Sequence, residues 1–326
     1  MYSLVRVIVL LAILFTFGLF SLGCYIMYVE FNRPAELQSD RVIIIPKGSG
    51  LNEIARLLND NGVIKSKYPF ILGAKIFGLS GRLKAGEYEF SKMVKPAAVL
   101  ETLTAGRTLV RHITIPEGLT SKEIVKLLKE ETGLWGTINS TPPEGSLLPE
   151  TYYYSLGDSR LEIVNRMKRQ LTLKLKELWD KRNPNIPIKT SYEAVILASI
   201  IEKETAIREE RFLIASVFTN RLDRQMRLQS DPTVIYGVLD KEPNEPITQT
   251  DLRRKTAHNT YVIKGLPKTP ICNPGIASIE AALHPATTGY FYFVAKGGGL
   301  HSFSKTLKEH NINVKKWRKA QEKISK

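Results

Sequence analysis

The hydrophobic pattern is most uneven at the N-terminus, where 22 consecutive residues from Val7 to Tyr28 carry no formal charge. A helix of that length rises ~33 Å, close to the ~30 Å hydrocarbon core of a bilayer. The pattern therefore predicts a transmembrane helix over residues 7–28. Arg6 flanks its short side, and because positive charge tends to stay inside, residues 1–6 are predicted to form a cytoplasmic tail and the rest to be exported.

Two other interpretations of this apolar run are weaker. A cleaved signal peptide has a shorter apolar stretch, and no A-x-A cleavage sequence ends this one. Leu22-Gly23-Cys24 faintly resembles a lipobox, but Leu stands one place late and the apolar run continues beyond the cysteine. A retained single-pass anchor is therefore the prediction.

After a polar connector over residues 29–40, the pattern of positions 41–106 predicts a small α/β module. A β-branched run stops at a Pro/Gly turn, as expected of a strand. Apolar residues then recur at helical spacing until Asn61-Gly62. The predicted elements are a strand over 42–45, a helix over 51–58, a turn and strand over 84–90, and a helix over 97–103 ended by Gly106.

The strand–turn–helix pattern recurs at an offset of 70 residues. Ile45-Pro46-Lys47-Gly48 aligns with Ile115-Pro116-Glu117-Gly118, and Leu57-Leu58 aligns with Leu127-Leu128. A true duplication and a recurrent local packing solution both explain the echo. Either explanation predicts a strand, a Pro/Gly turn and a capped helix in both places.

The remaining residues, 107–326, predict a larger mixed α/β domain, so the fold class of the whole chain is α+β. A Pro-rich break at 141–145 precedes a basic amphipathic helix over 161–179. A second helix is predicted over 191–205. Its segment 194–201 is apolar on nearly every side, which is typical of a helix in a protein core.

Two carboxylates stand where this apolar helix ends. Glu204 falls on the same helical stripe as Leu197 and Ile200, whereas Glu202 points to a different side. Partial desolvation raises the pKa of a carboxyl and can keep it protonated near neutrality, as a general acid requires. The alternative is that both glutamates pair with Arg208, Arg211 or Lys203 on a surface.

Loops punctuated by Pro and Gly follow this helix, around 227–237, 257–261 and 271–275. Their amide and hydroxyl groups and aromatic rings are typical of a saccharide site, where amides bond sugar hydroxyls and rings stack on sugar faces. Ordinary turns have a similar composition, so that alternative stays open.

Composition narrows the choice of partners. Lys and Arg number 47 against 32 Asp and Glu, a formal net charge of +15 that favours an anionic partner. Because the predicted anchor puts nearly all of that charge outside the cytoplasm, a chromosomal nucleic-acid role is disfavoured. The basic run 315–319 is interpreted as a solvated C-terminal helix. No metal or nucleotide motif occurs, so no cofactor and no metal site are predicted.

Several longer motifs follow one another along the chain. They are Ala198-Ser199-Ile200-Ile201-Glu202-Lys203-Glu204-Thr205, Leu228-Gln229-Ser230-Asp231-Pro232-Thr233-Val234-Ile235-Tyr236, Asn259-Thr260-Tyr261, Gly265-Leu266-Pro267, Asn273-Pro274-Gly275, Tyr292-Phe293-Val294-Ala295, His301-Ser302-Phe303-Ser304 and Glu309-His310-Asn311. In this order they resemble the signatures of the bacterial endolytic murein transglycosylases, the YceG-like family. The resemblance covers the whole chain, including the single N-terminal anchor.

The resemblance implies a LysM-like subdomain over 41–106 and a catalytic transglycosylase domain over 107–326. It also implies that Glu204, the second Glu of Glu-Lys-Glu-Thr, is the catalytic acid. The implied enzyme is a lyase that cleaves the MurNAc-β-1,4-GlcNAc bond of nascent glycan and leaves 1,6-anhydromuramyl ends. Asp231 is interpreted as a loop-ordering or sugar-contacting group. The predicted substrate-binding residues are Gln229, Asp231, Asn259 and Tyr261.

The partners implied by the resemblance are peptidoglycan glycan strands, the bacterial inner membrane and peptidoglycan synthases, with no nucleic acid. Four positions depart from the family pattern and bear on sugar contacts: Ser146, Leu148, His258 and Lys268. The alternative function is a non-catalytic, membrane-anchored peptidoglycan-binding scaffold. A scaffold would tolerate Glu204→Gln, whereas an enzyme would not.

Overall fold

The structure is a computed structural model that describes residues 2–238 and 246–324. Two compact units divide the chain: Met1–Arg111 with Tyr153–Asp158, and His112–Tyr152 with Ser159–Lys326. The helices are α1 (Tyr2–Asn32), α2 (Leu51–Asp60), α3 (Lys67–Ile76), α4 (Pro96–Ala105), α5 (Ser121–Glu130), α6 (Arg160–Asp180), α7 (Ser191–Glu204), α8 (Arg208–Asp223), α9 (Asp231–Gly237), α10 (Gln249–Arg253), α11 (Ile276–Leu283) and α12 (Leu307–Ile324). The strands are β1 (Arg41–Ile45), β2 (Gly86–Phe90), β3 (Val110–Thr114), β4 (Leu134–Trp135), β5 (Thr151–Ser155), β6 (Asp158–Ser159), β7 (Tyr292–Gly297) and β8 (Leu300–Ser304).

The first unit is built on an antiparallel pair of strands, in which Arg41 of β1 lies opposite Phe90 of β2. Helices α2, α3 and α4 pack together beside this pair. The predicted elements at 42–45, 51–58, 84–90 and 97–103 are confirmed. Helix α3 was not predicted, because its sequence is apolar on several faces and shows little helical period. The core of the unit includes Ile43, Ile45, Ile54, Leu58, Phe70, Tyr88, Phe90 and Leu103.

Helix α1 continues four residues beyond the predicted end of the apolar span, to Asn32. Within the described part of the chain, Val5–Asn32 is the one helix long and apolar enough to cross a membrane. Its last turn packs on the first unit, since a Cβ added at Gly73 of α3 would lie 2.4 Å from the ring of Phe31. Because of this packing, the first residues of the predicted connector are helical.

The second unit surrounds α7, whose residues Ala194 to Ile201 are all buried. The predicted core helix is therefore confirmed, as is the amphipathic helix that becomes α6. Helix α7 packs against α11, α8, α9 and α6. Strands β7 and β8 form an antiparallel hairpin with a bulge between Ala295 and Gly297, and α12 packs against it.

Both copies of the sequence echo form a strand, a turn and a helix: β1 leads to α2, and β3 leads to α5. Gly48 and Gly118 take positive φ angles of 88° and 78° in the two turns. Only the second helix has the predicted cap, a capping box between Thr120 and Glu123. Helix α2 follows Gly50 with no side-chain cap, so the prediction of two capped helices was wrong for the first copy.

The structure also corrects the loop predicted over 227–237, because its second half forms helix α9. Pro232 stands in the first turn of α9. There its fixed φ suits a helix, and its missing N–H has no partner to lose. Asp231 and Ser230 consequently lie at a helix start rather than in a free loop.

Candidate active site

Glu204 is the last residue of α7 and lies where this helix leaves the protein core. The helix begins at a cap, in which the Thr190 hydroxyl accepts the N–H of Glu193 at 3.1 Å. It ends at Thr205, whose backbone is extended. The side chain of Glu204 is half-buried at this boundary.

The hydroxyl of Ser230 holds the Glu204 carboxyl. Ser230 Oγ donates to Glu204 Oε1 at 2.5 Å. Ser230 is itself fixed, because its N–H donates to Thr260 Oγ1 at 2.9 Å and its carbonyl accepts from Thr233 Oγ1 at 2.6 Å. The Ser230 hydroxyl is thus positioned by the loop that carries it.

The pKa of Glu204 is raised to about 7, chiefly by burial and in smaller part by the negative charge of Asp231. The hydrogen bond from Ser230 and the positive charge of Arg221 act in the opposite direction. A carboxyl whose pKa lies near 7 is both a proton donor and a proton acceptor at neutral pH, which is what acid–base catalysis requires. The shift has the direction that the position of Glu204 on the apolar stripe predicts.

Arg221 is buried and was not singled out in the sequence. Its Nε donates to the carbonyl of Phe291 at 2.7 Å, and its Nη1 donates to the carbonyl of Leu228 at 2.6 Å. Its guanidinium also lies 5.4 Å from the ring centre of Tyr292. Arg221 therefore joins α8, the segment before Ser230 and strand β7, while placing a positive charge near Glu204.

Asp231 and Tyr261 form a pair next to this carboxyl. Tyr261 Oη donates to Asp231 Oδ1 at 2.6 Å, and Asp231 follows Ser230 directly in the chain. Burial, together with Asp231, raises the pKa of Tyr261. Asp231 is exposed and Tyr261 half-buried, so both reach the surface around Glu204.

Gln229 and Asn259, the other two predicted substrate-binding residues, differ in their exposure. Gln229 is exposed and has a φ of 50°, a left-handed conformation that is uncommon for a residue other than glycine. Asn259 is 1% exposed, and its Nδ2 contacts the carbonyls of Asp251, Leu252 and Arg254. The amide nitrogen of Asn259 therefore ties its loop to the end of helix α10.

Glu202 makes the pairing that the sequence offered as the alternative for both glutamates. Arg211 Nη2 donates to Glu202 Oε1 at 3.2 Å and to Glu117 Oε2 at the same distance. The N–H of Gly275 donates to Glu202 Oε2 at 3.0 Å. Burial, with Glu202 nearby, raises the pKa of Glu117. Glu202 thus has an ion-pair partner, whereas Glu204 bonds a neutral hydroxyl.

A cleft of about 500 Å³ opens beside Glu204. Its walls are the segment after α7, the tip of the β7–β8 hairpin and one side of α12. The hairpin tip contributes Gly297, Gly298 and Gly299, all with positive φ angles, and because they lack side chains their backbone lines the cleft. Trp317 contributes an aromatic ring from α12. A cleft of this size and lining can hold a small part of a polysaccharide.

His301 lines the same cleft, and Glu210 fixes its orientation. Glu210 Oε1 accepts the His301 backbone N–H at 2.8 Å, and Oε2 lies 2.8 Å from His301 Nδ1. The imidazole also meets the ring of Phe293 edge-on, with ring centres 5.4 Å apart. These contacts hold the imidazole at the edge of the cleft.

Sequence reasoning did not identify Ser230, Arg221 or Trp317 as site residues. Ser230 lies inside a motif already noted, and its hydroxyl could have been singled out beside Asp231. Trp317 was hidden in a basic run, although a lone indole in a polar helix suggests a contact. Nothing in the sequence around Arg221 indicated that it would lie near Glu204. In residues 2–238 and 246–324, no group of three or more His, Cys, Asp or Glu could hold a metal ion.

The fold and the site define a mixed α/β protein with a titratable carboxyl at the edge of a cleft. The family model described as YceG-like matches residues 43–316. The "Endolytic murein transglycosylase" of Bacillus subtilis is 34% identical over 330 residues, covering 90% of each chain. That of Streptococcus pneumoniae D39 is 26% identical, covering 91% of this chain and 63% of its own. The chain therefore belongs to the YceG-like family, and the family prediction is confirmed.

A solved structure agrees with this membership. The 2.6 Å crystal structure of a YceG-like protein from Listeria monocytogenes matches with a TM-score of 0.51 and 30% sequence identity. The match covers 85% of this chain and 99% of the crystallised one.

Proposed function

We propose that this protein is a peptidoglycan lytic transglycosylase that cuts within glycan strands at the MurNAc-β-1,4-GlcNAc bond. The observation that carries the proposal is Glu204, a half-buried carboxyl whose pKa of about 7 suits proton transfer, at the edge of a cleft. The two relatives, both named endolytic murein transglycosylases, support the same class of enzyme.

In the proposed reaction, protonated Glu204 donates its proton to the glycosidic oxygen, and the bond between that oxygen and C1 of MurNAc breaks. The 6-hydroxyl of the same MurNAc attacks C1, and the Glu204 carboxylate takes the hydroxyl proton. The product is a 1,6-anhydromuramyl end, and no water is consumed. Hydrolases that use water need two carboxylates flanking the bond. A single titratable carboxyl suffices when the nucleophile belongs to the substrate.

The neighbouring groups receive distinct roles in this proposal. Ser230 orients Glu204, and Tyr261 orients Asp231. The exposed side chains of Gln229 and Asp231 are proposed to contact sugar hydroxyls, together with Tyr261. Asn259 is proposed to act by ordering the loop that presents Tyr261, since its Oδ1 accepts the Tyr261 N–H at 2.9 Å.

The proposal includes a membrane anchor. Helix α1 is long and apolar enough to span a bilayer, and its apolar side chains are exposed. The protein would then be a single-pass protein of the inner membrane with its active site outside the cytoplasm, acting on nascent strands. Residues 41–106 are proposed as a LysM-like glycan-binding subdomain and 107–326 as the catalytic domain. That peptidoglycan synthases are partners of this protein stays a prediction from the family resemblance.

The test compares the full-length protein with Glu204→Gln and with Glu209→Gln, an exposed glutamate on α8. Each is incubated in detergent with uncrosslinked glycan strands, and released fragments are separated by chromatography. Glu204→Gln is expected to lose cleavage by about 100-fold or more. It should still sediment with glycan, and Glu209→Gln should cleave normally. Glycan binding without cleavage by the unaltered protein would favour the scaffold alternative instead.

A further inference from the structure

Helix α3 exposes an apolar stripe that the fold of the first unit leaves uncovered. Tyr68, Leu72 and Ile76 follow one another at four-residue spacing, so they lie along one side of the helix. They are 66%, 41% and 71% exposed, and Phe77 directly after the helix is 62% exposed. The opposite side of α3 is already buried in the core. A contiguous stripe of this kind marks a surface that contacts something apolar.

The stripe lies beside the end of α1. Phe31, in the last turn of α1, fills the space above Gly73 of α3, and its ring centre lies 6.2 Å from that of Phe77. Phe31 follows Val29, the last residue of the uncharged run, by two residues, a rise of ~3 Å. Helix α3 is therefore held at the level where α1 passes from apolar to polar sequence.

The chain segment that carries the stripe has charge of one sign, and the acidic Glu53 of α2, which lies near Tyr68, stands beside Arg56 and Lys67. Residues 61–86 contain five Lys and Arg residues and no Asp or Glu. Lys67 and Lys75 lie on α3 itself, and Lys67 Nζ sits 5.3 Å from the ring centre of Tyr68. A helix with an apolar face, flanking lysines and an interfacial tyrosine is typical of segments that lie in the headgroup region of an anionic bilayer.

We propose that the Tyr68–Leu72–Ile76 stripe of α3 inserts into the outer surface of the same anionic bilayer that α1 spans. The inference rests on the proposed anchor, because it is the continuity between α1 and α3 that assigns the membrane as the occupant. With two contacts on the lipid, the first unit cannot swing freely about α1.

The test uses the full-length protein with Cys24→Ser, carrying one fluorescent environment-sensitive label on an introduced cysteine and reconstituted in vesicles of phosphatidylcholine and phosphatidylglycerol. Ile76→Cys reports the stripe. Ile44→Cys is the matched control, an isoleucine 51% exposed on β1 of the same unit. Leu14→Cys reports the span itself. Protein without an introduced cysteine corrects for labelling of buried Cys272.

We expect the emission maximum of the Ile76 label to lie at a shorter wavelength than that of the Ile44 label. Nitroxide-bearing lipids should quench it several-fold more, and aqueous iodide several-fold less. If the Leu14 label is shielded by lipid but the Ile76 label behaves like the Ile44 label, the inference is wrong and the anchor stands. If the Leu14 label is open to iodide, the proposed anchor itself fails. The Ile76 label could also be shielded from iodide only at high protein concentration and show no quenching by nitroxide-bearing lipids. That result would assign the stripe to a second copy of the chain and overturn the inference.

Discussion

The hydroxyl of Ser230 donates a 2.5 Å hydrogen bond to the carboxyl of Glu204, and this joins the end of α7 to the start of α9. The bond favours the ionised carboxylate, whereas burial favours the protonated acid. The balance of the two keeps the pKa of Glu204 at about 7. The relationship gives Ser230 a definite part in setting the pH range of the proposed reaction.

Replacement of Ser230 by alanine should therefore raise the pKa of Glu204 further. Losing one hydrogen bond to a charged group is expected to shift it by about one pH unit. Since the general acid must be protonated, the alkaline limb of the kcat/KM profile should move to higher pH. The measurement is the pH profile of glycan cleavage by Ser230→Ala. Ser140→Ala, at an exposed serine, is the control and should keep the original profile. An alkaline limb that stays in place or moves to lower pH would contradict the assigned role.

Stability should also depend on Glu204 and pH. The pKa of Glu204 is about 7 in the folded protein, against an ordinary value of 4.5. The folded state therefore holds the carboxyl proton more tightly than the unfolded state does. The contribution of Glu204 to the free energy of unfolding is most favourable below pH 4.5 and is lost as pH rises through about 7. Glu204→Gln removes that loss. From pH 4 to pH 8, the free energy of unfolding of Glu204→Gln should therefore rise relative to that of the unaltered protein by up to about 3 kcal/mol.

Chemical denaturation of both proteins at the two pH values measures this difference. Glu209→Gln serves as the control, because that side chain is exposed. The quantity compared is the free energy of unfolding of Glu204→Gln minus that of the unaltered protein. If this difference stays constant or falls as pH rises, the pKa of Glu204 is not raised.

Glu210 is expected to act through His301. Glu210→Gln removes the charge that orients the imidazole at the edge of the cleft, and cleavage should fall by about tenfold, the equivalent of ~1.4 kcal/mol. Steady-state kinetics would separate an effect on KM from one on kcat, and circular dichroism would show whether the fold persists. Glu210→Asp should recover part of the lost activity. A purely structural role would lower stability without changing the kinetics of the folded fraction.

Gly275 is expected to tolerate no side chain. A Cβ there would lie 1.8 Å from Glu117 Oε1, so Glu117 would have to leave Arg211. Gly275→Ala should cost about 1–3 kcal/mol in the free energy of unfolding. Gly289→Ala is the matched control, because its nearest neighbour, Lys305 Cε, is at an ordinary 3.6 Å. Combining Gly275→Ala with Glu117→Ala should recover much of the loss. Equal effects of the two glycine substitutions would contradict this explanation.

The sequence predicted the local parts of the fold well, because α7 and the strands of the first unit follow from the spacing of apolar residues. It also ranked Glu204 above Glu202 from helical position alone. It could not foresee that Ser230 would meet Glu204, 26 positions away, since that contact depends on how α9 packs against α7. The role of Asn259 as a sugar contact stays a prediction, but its surroundings could not be foreseen for a related reason. Nothing in the sequence shows that its amide nitrogen bonds three carbonyls at the end of helix α10.

The most direct test of the account is the chemistry of the new glycan end. Uncrosslinked strands treated with the unaltered protein should give fragments that mass spectrometry identifies as 1,6-anhydromuramyl, one water lighter than a reducing end. Strands treated with Glu204→Gln should stay uncut. Fragments that end in reducing MurNAc, or equal cutting by Glu204→Gln, would contradict the proposal that Glu204 catalyses an intramolecular transglycosylation.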